Sequence, residues 1–183
     1  LTHDKENNIS LDYTVRSEVF NHAVMNLDQA DTLYPRSLKD RFTQLPLDID
    51  KRIFELAEEF SKEAETTYGT VLSIQNNLIA NYGYTTDGVG YPTDPIANFL
   101  FERKEGHCEY FSTAMVLMLR SLGIPSRPVN GFLGSQYNGY GDYYIVKEAN
   151  AHTWVEVFFP GHGWLTFDPT PPTGPQAFIS AAF

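Results

Sequence analysis

Apolar positions repeat with helical spacing in the first two-thirds of the chain and with strand spacing afterwards. Ile53, Leu56, Ala57 and Phe60 fall at i, i+3, i+4 and i+7, which predicts an amphipathic helix. Asp48 or Asp50 would cap it, and Tyr68-Gly69 would close it with Gly69 as the C′ residue. Val71, Ile74, Leu78 and Tyr82 share one side of a second helix, from about Thr70 to Tyr82, that Gly83 stops. Asp94-Pro95 reads as a cap and first-turn proline, opening a short helix with Ile96, Phe99 and Leu100. The clearest stripe is Phe111, Ala114, Met115, Met118, Leu119 and Leu122; Gly123 ends it and Pro125 prevents its resumption. Three residues back from Phe111 lies Cys108, in the first turn and on the inward face.

After Pro125 the period becomes two. Arg127–Leu133, Tyr143–Lys147, His152–Phe159 and Trp164–Asp168 read as strands, with Gly134–Asp142 a loop rich in Gly, Asn and Tyr. Thr153, Val155, Val157 and Phe159 share one face of the third of these; His152, Trp154, Glu156 and Phe158 share the other. Pro-Gly-His-Gly at 160–163 turns the chain into the last strand. Helices first and antiparallel strands after them predict an α+β fold. Residues 1–46 carry weaker pattern: Ile9–Phe20 partly alternates at Leu11, Tyr13 and Val15, and Asp31–Pro46 is turn-rich. They are expected to form an N-terminal extension packed on a domain spanning residues 47–183. Gly83–Pro95 reads as a loop, and its Gly88-Val89-Gly90 lacks the preceding strand and following helix of a phosphate loop. Neither an internal repeat nor a low-complexity tract is present.

Composition narrows the function. The 183 residues are 42% hydrophobic and 20% charged, an ordinary globular mixture. The 13 basic and 23 acidic residues give a net charge of −10, which disfavours nucleic acid and anionic lipid as partners. No apolar run approaches the ~18 residues of a membrane span, and no signal-peptide pattern is present. The start at Leu1 rather than Met suggests a processed product or an excised domain, with membrane segments of the parent out of view. Cys108 is the only cysteine, so an internal disulfide and a multi-thiolate metal site are both impossible. No His pair has ligand spacing on a helix, and neither metal nor cofactor is expected.

Three residues offer chemistry. Cys108 follows Gly106-His107 at a helix N-terminus, His152 begins a strand, and Asp168 ends the next one. The positive end of the helix favours a thiolate, and an imidazole partner lowers the thiol pKa further and can relay the proton. A carboxylate would fix the tautomer and orientation of the imidazole. Unpartnered N–H groups of the first turn can face a developing oxyanion. Parity decides whether the sheet brings the last two together. A four-residue loop pairing Phe159 with Trp164 would put Asp168 on the face opposite His152, whereas an odd loop or a bulge puts it opposite Trp154, diagonal to His152. The other histidines suit the role less. His107 is adjacent to Cys108 on the helix, where neighbours do not face each other. His162 lies in the turn, and His3 and His22 lie in the weakly patterned part. Glu109 suits the helix dipole as a first-turn residue.

With these residues in place, the chain resembles the transglutaminase-like superfamily. Gly106-His107-Cys108-Glu109-Tyr110-Phe111 is similar to its nucleophile motif, Ala151-His152-Thr153-Trp154-Val155-Glu156-Val157 to its histidine strand, and Trp164-Leu165-Thr166-Phe167-Asp168-Pro169-Thr170 to its aspartate strand. Asp94-Pro95-Ile96-Ala97-Asn98-Phe99-Leu100-Phe101 resembles the bacterial membrane-anchored branch, the TgpA-type transglutaminases, whose domain lies outside the cytoplasm. The resemblance implies a papain-like core with Cys108 as nucleophile, His152 as base and acid, and Asp168 as orienter. It implies attack on a protein or peptide glutamine and transfer of the acyl group to a primary amine. No residue matches the family's oxyanion-stabilising Trp, and Tyr84 or a backbone amide beside Cys108 is the candidate in its place. Hydrolysis by the same three residues, as in a peptidase or amidase, and a non-catalytic peptide-binding module remain open alternatives at this point.

Overall fold

The computed structural model describes residue 16 and residues 26–30, 32–87, 90, 92–134 and 136–172. Helix α1 (Arg36–Phe42) leads into α2 (Arg52–Ser61) and α3 (Thr67–Asn81). A two-residue strand β1 (Gly83–Tyr84) follows, then α4 (Pro95–Ala97), which continues as a π-helical stretch over Asn98–Arg103. Strand β2 (Glu105–Gly106) pairs in parallel with β1 and runs directly into α5 (Cys108–Ser121). The rest is strand: β3 (Ser126–Phe132), β4 (Gln136–Asn138), β5 (Tyr143–Ile145), β6 (Ala151–Phe159) and β7 (Gly163–Phe167). Strands β3, β6 and β7 form an antiparallel sheet with β6 in the middle, while β4 and β5 form a separate hairpin.

Helix α5 is the centre of the molecule. Its apolar residues contact α2 and α3 on one side and the sheet on the other. It therefore buries more than one stripe, with Val116 as well as Phe111, Ala114, Met115, Met118 and Leu119 inside. The sheet answers with Val155, Val157, Phe159, Leu165 and Phe167, all from the face that alternation assigns to the core. Leu27 and the partly buried Ala30 also reach this core from the N-terminal part.

Local expectations hold in part. Asp94 accepts N–H bonds from Ile96 and Ala97 at 3.0 and 2.9 Å and caps α4 as predicted. Asp50 accepts the N–H of Arg52 at 2.9 Å at the start of α2. The helix that was to run to Gly69 instead stops at Ser61, and α3 begins at Thr67. Thr66 accounts for the break: its hydroxyl accepts the Gly69 N–H at 3.0 Å, so Gly69 lies in the first turn of α3 rather than after the end of α2. The stretch 134–142 is not only a loop, since it contains β4, which pairs with β5 from Gln136–Ile145 to Asn138–Tyr143. Within Ile9–Phe20, where a strand was expected, only residue 16 is described, and Gly88 and Val89 lie outside the described residues.

Two close constraints shape the sheet. At the β6–β7 turn Phe159 pairs with Gly163, leaving three residues between them, the odd loop that parity requires. Pro160 and Gly161, the latter at φ +81°, supply the two central turn positions, and the His162 N–H bonds the Phe159 carbonyl at 3.0 Å. In the β3–β6 ladder Gly131 sits opposite His152, and the Trp154 ring lies over it. A Cβ at residue 131 would meet the Trp154 ring at 2.5 Å. Gly131→Ala should therefore destabilise the domain by about 1–3 kcal/mol, read as a lower urea midpoint at unchanged slope. Adding Trp154→Leu should recover part of the loss.

Candidate active site

The end of β1, the start of α5 and the ends of β3 and β6 line a cleft of about 520 Å³. Cys108 is the first residue of α5 and is buried, with its sulfur in this cleft. One turn further along, the buried Ser112 hydroxyl donates to the Thr153 carbonyl at 2.8 Å, tying the helix to β6 beside His152. Thr153 in turn donates to Asn130 Oδ1 on β3 at 2.8 Å. These bonds fix the separation between the helix that carries the thiol and the strand that carries the imidazole.

His152 and Asp168 meet as the hairpin parity requires. Extending the β6–β7 register one step past Val155–Phe167 places Asp168 opposite Trp154 and diagonal to His152. His152 Nε2 lies 2.7 Å from Asp168 Oδ2. The other carboxylate oxygen accepts the Thr170 N–H at 3.0 Å, so the Asp168 side chain is held from both sides. Cys108 and His152 line the same cleft and interact through their side chains. With Nε2 committed to the carboxylate, Nδ1 is the ring nitrogen left for the sulfur.

The electrostatics follow from that chain of contacts. Burial alone would raise the thiol of Cys108 and lower the imidazole of His152. For Cys108 the His152 side chain and the Thr153 N–H outweigh burial, and the thiol pKa falls below its ordinary value. For His152 the Asp168 and Cys108 bonds outweigh burial, and the imidazole is pushed up to about 9. The shifts favour the charged form of both groups: an imidazolium near neutral pH and a thiol that ionises more readily than a free one. The same negative sulfur, after burial, helps raise the pKa of Tyr84, which lines the cleft and keeps its hydroxyl proton as a donor.

The remaining residues weighed from sequence sit elsewhere. His107 packs its ring against Tyr110, with centroids 4.8 Å apart, at the cleft rim. His162 lies in the β6–β7 turn, and His3 and His22 lie outside the described residues. Glu109 is exposed at the cleft edge, with Oε2 4.0 Å from His107 Nδ1. Ser112 was missed as a positioning residue; its signal was a polar side chain at i+4 from the cysteine on a buried face. Trp154 was missed as well: its ring stacks toward His152 at a 25° interplanar angle, with centroids 6.4 Å apart. Among the described residues no group of three or more His, Cys, Asp or Glu side chains could hold a metal ion, and no helix is long and apolar enough to cross a membrane.

Comparison with known proteins bears on the family and the fold. A family model described as "Transglutaminase-like superfamily" matches residues 55–169. The Bacillus subtilis (strain 168) protein YebA is 38% identical over 184 residues, covering 92% of this chain and 25% of YebA. A Pseudomonas aeruginosa (PAO1) protein named protein-glutamine gamma-glutamyltransferase is 33% identical over 137 residues, covering 74% of this chain and 20% of its own length. The chain thus spans about a quarter or less of these relatives. The crystal structure of the periplasmic domain of TgpA from P. aeruginosa, bound to ethylmercury, superposes with a TM-score of 0.71 at 31% identity. That match covers 79% of this chain and 52% of the other. The mixed fold is therefore the papain-like one of the transglutaminase-like proteins.

The linkage signs make the ion pair testable. His152 is raised above its ordinary 6.5, so its contribution to stability is full below pH 6.5 and is lost as pH rises through about 9. Cys108 is lowered, so its contribution is full above pH 9.0 and is lost as pH falls through its depressed value. The rate of Cys108 alkylation by iodoacetamide against pH should have its midpoint below 9.0 in the wild type and move upward in His152→Ala. A midpoint that His152→Ala leaves in place contradicts the pairing.

Proposed function

We propose that this chain, which belongs to the transglutaminase-like superfamily, is the catalytic part of a cysteine acyltransferase that joins protein glutamine to primary amines. The observation that supports it most is a buried His152 bonded to a helix-N-terminal thiol on one side and to Asp168 on the other. In this reading the Cys108 thiolate attacks the glutamine carboxamide carbon and a C–S bond forms. His152 then gives its proton to the departing nitrogen, the C–N bond breaks and ammonia leaves. An amine next attacks the thioester and passes a proton back to His152, and the sulfur departs as thiolate. Asp168 holds the ring so that one nitrogen always faces the sulfur.

The tetrahedral oxygen needs donors that are already in place. The N–H groups of Cys108 and Glu109 have no intrahelical acceptor in the first turn of α5. The Tyr84 hydroxyl, in the same cleft and kept protonated, is the side-chain donor. Residues 47–183 are the catalytic unit in this reading, and 1–46 an extension upon it. The donor is a glutamine in a protein or peptide, the acceptor a primary amine, and nucleic acid has no part. Likeness to a periplasmic domain supports a site of action outside the cytoplasm, in a parent protein anchored in the membrane.

Incorporation of a fluorescent primary amine into a glutamine-rich protein tests the reading. The wild type should label it with release of ammonia, and Cys108→Ala should not, while the thermal midpoint of that variant stays within a few degrees. Asp168→Asn should keep the fold and lose about 100-fold or more in rate. Ammonia release without label assigns water as the acceptor and overturns the transferase reading.

A further inference from the structure

Exposed aromatic surface is concentrated in one place. Among the described residues, six of the eight large apolar or aromatic side chains that stand exposed fall between residues 132 and 146: Phe132, Tyr137, Tyr140, Tyr143, Tyr144 and Val146. Five of these belong to the β4–β5 hairpin and its immediate continuation, and Phe132 stands at its neck. Phe132 is 60% exposed, Tyr144 66% and Tyr140 fully so. A patch of this kind on a chain of net charge −10 marks an interaction surface.

The hairpin is tied to the active site. It is an excursion between β3 and β6, and it leaves from the Phe132–Ala151 pair, the next rung after Gly131–His152. The Leu133 N–H donates to the Asn150 carbonyl at 2.7 Å, which closes the neck, and the Lys147 N–H donates to Asn150 Oδ1 at 2.8 Å on the returning side. Phe132 and Ala151 line the Cys108 cleft. The rings are also braced before any partner arrives. Tyr137 donates to Asp142 Oδ1 at 2.6 Å, Asn138 donates to the Tyr143 hydroxyl at 2.9 Å, and the Tyr137 and Tyr144 rings lie 5.2 Å apart. Rigid tyrosines give contact area at little entropic cost.

We propose that the β4–β5 hairpin is the docking platform for the polypeptide that carries the reactive carboxamide, gripping the residues that flank it while its side chain enters the Cys108 cleft. This rests on the acyltransferase reading and deepens it. The cleft is large enough for one side chain and its backbone, so a longer chain must continue over the rim, and the neck of the hairpin is that rim. The acidic charge argues against nucleic acid and anionic lipid as the occupant, while tyrosine faces accept apolar and cationic side chains of a peptide alike.

The test is a double variant, Tyr140→Ser with Tyr144→Ser, which leaves the Tyr137–Asp142 and Asn138–Tyr143 bonds in place. Amine incorporation is measured into a glutamine-rich polypeptide and into a capped glutamine dipeptide, alongside iodoacetamide alkylation of Cys108. KM for the polypeptide should rise about 10-fold, with kcat, the dipeptide kinetics and the alkylation rate unchanged. Unchanged polypeptide kinetics overturn the proposal. Equal losses with dipeptide and polypeptide also overturn it, because the hairpin would then only support the cleft. Cosedimentation of wild type but not the double variant with phosphatidylcholine vesicles would assign the rings to a membrane surface instead. A wild type that labels neither substrate overturns the acyltransferase reading by itself, and the docking role with it.

Discussion

A buried imidazole set between a carboxylate and a thiol is the contact on which the rest of this molecule depends. His152 is 5% exposed, and burial alone would push its pKa down. The Asp168 carboxylate and the Cys108 side chain outweigh that and hold it up at about 9. Either partner without the other would leave a buried charge partly uncompensated, the costly arrangement in an interior. A deprotonated sulfur and a charged ring stabilise each other, which is why the one shifts down and the other up, and Asp168 sets the ring geometry that makes the pair possible.

Every element near the site can be understood as holding that chain of three groups in line. Helix α5 presents the sulfur at its positive end, and its length, packed on both sides, makes the presentation rigid. The Ser112–Thr153 bond sets the distance from helix to strand. The three-residue turn after Phe159 sets the face on which Asp168 emerges, and the Asp168–Thr170 bond stops the carboxylate from rotating away. On the outer face Arg127 spans to Glu156 at 2.7 Å and covers the Trp164 ring at 4.2 Å, which keeps β3, β6 and β7 together beyond the site.

Much of this was legible in the residues because it is local. The stripe through Phe111 and Leu119 predicts α5, and alternation along β6 puts Val155, Val157 and Phe159 on one face, which the burial places in the core. The meeting of His152 and Asp168 hangs on the parity of one loop, and Pro160–Gly163 alone does not fix that parity. What stayed illegible depends on contacts between distant segments. The gap between α2 and α3 turns on Thr66 outcompeting a continuous apolar spacing. Strand β4 has little apolar alternation of its own and exists through pairing with β5. The close approach of Trp154 to Gly131 crosses two strands and leaves no mark in either strand alone. The carbonyl that Ser112 bonds lies 41 residues away along the chain.

The central claim concerns the charge state of one ring. Nitrogen-15 NMR of histidine-labelled protein, with His152 assigned by substitution, reads it directly across pH. The account predicts an imidazolium at pH 7 that loses its proton only near pH 9, and a midpoint that drops in Cys108→Ala. A neutral His152 ring at pH 7 in the wild type would contradict it.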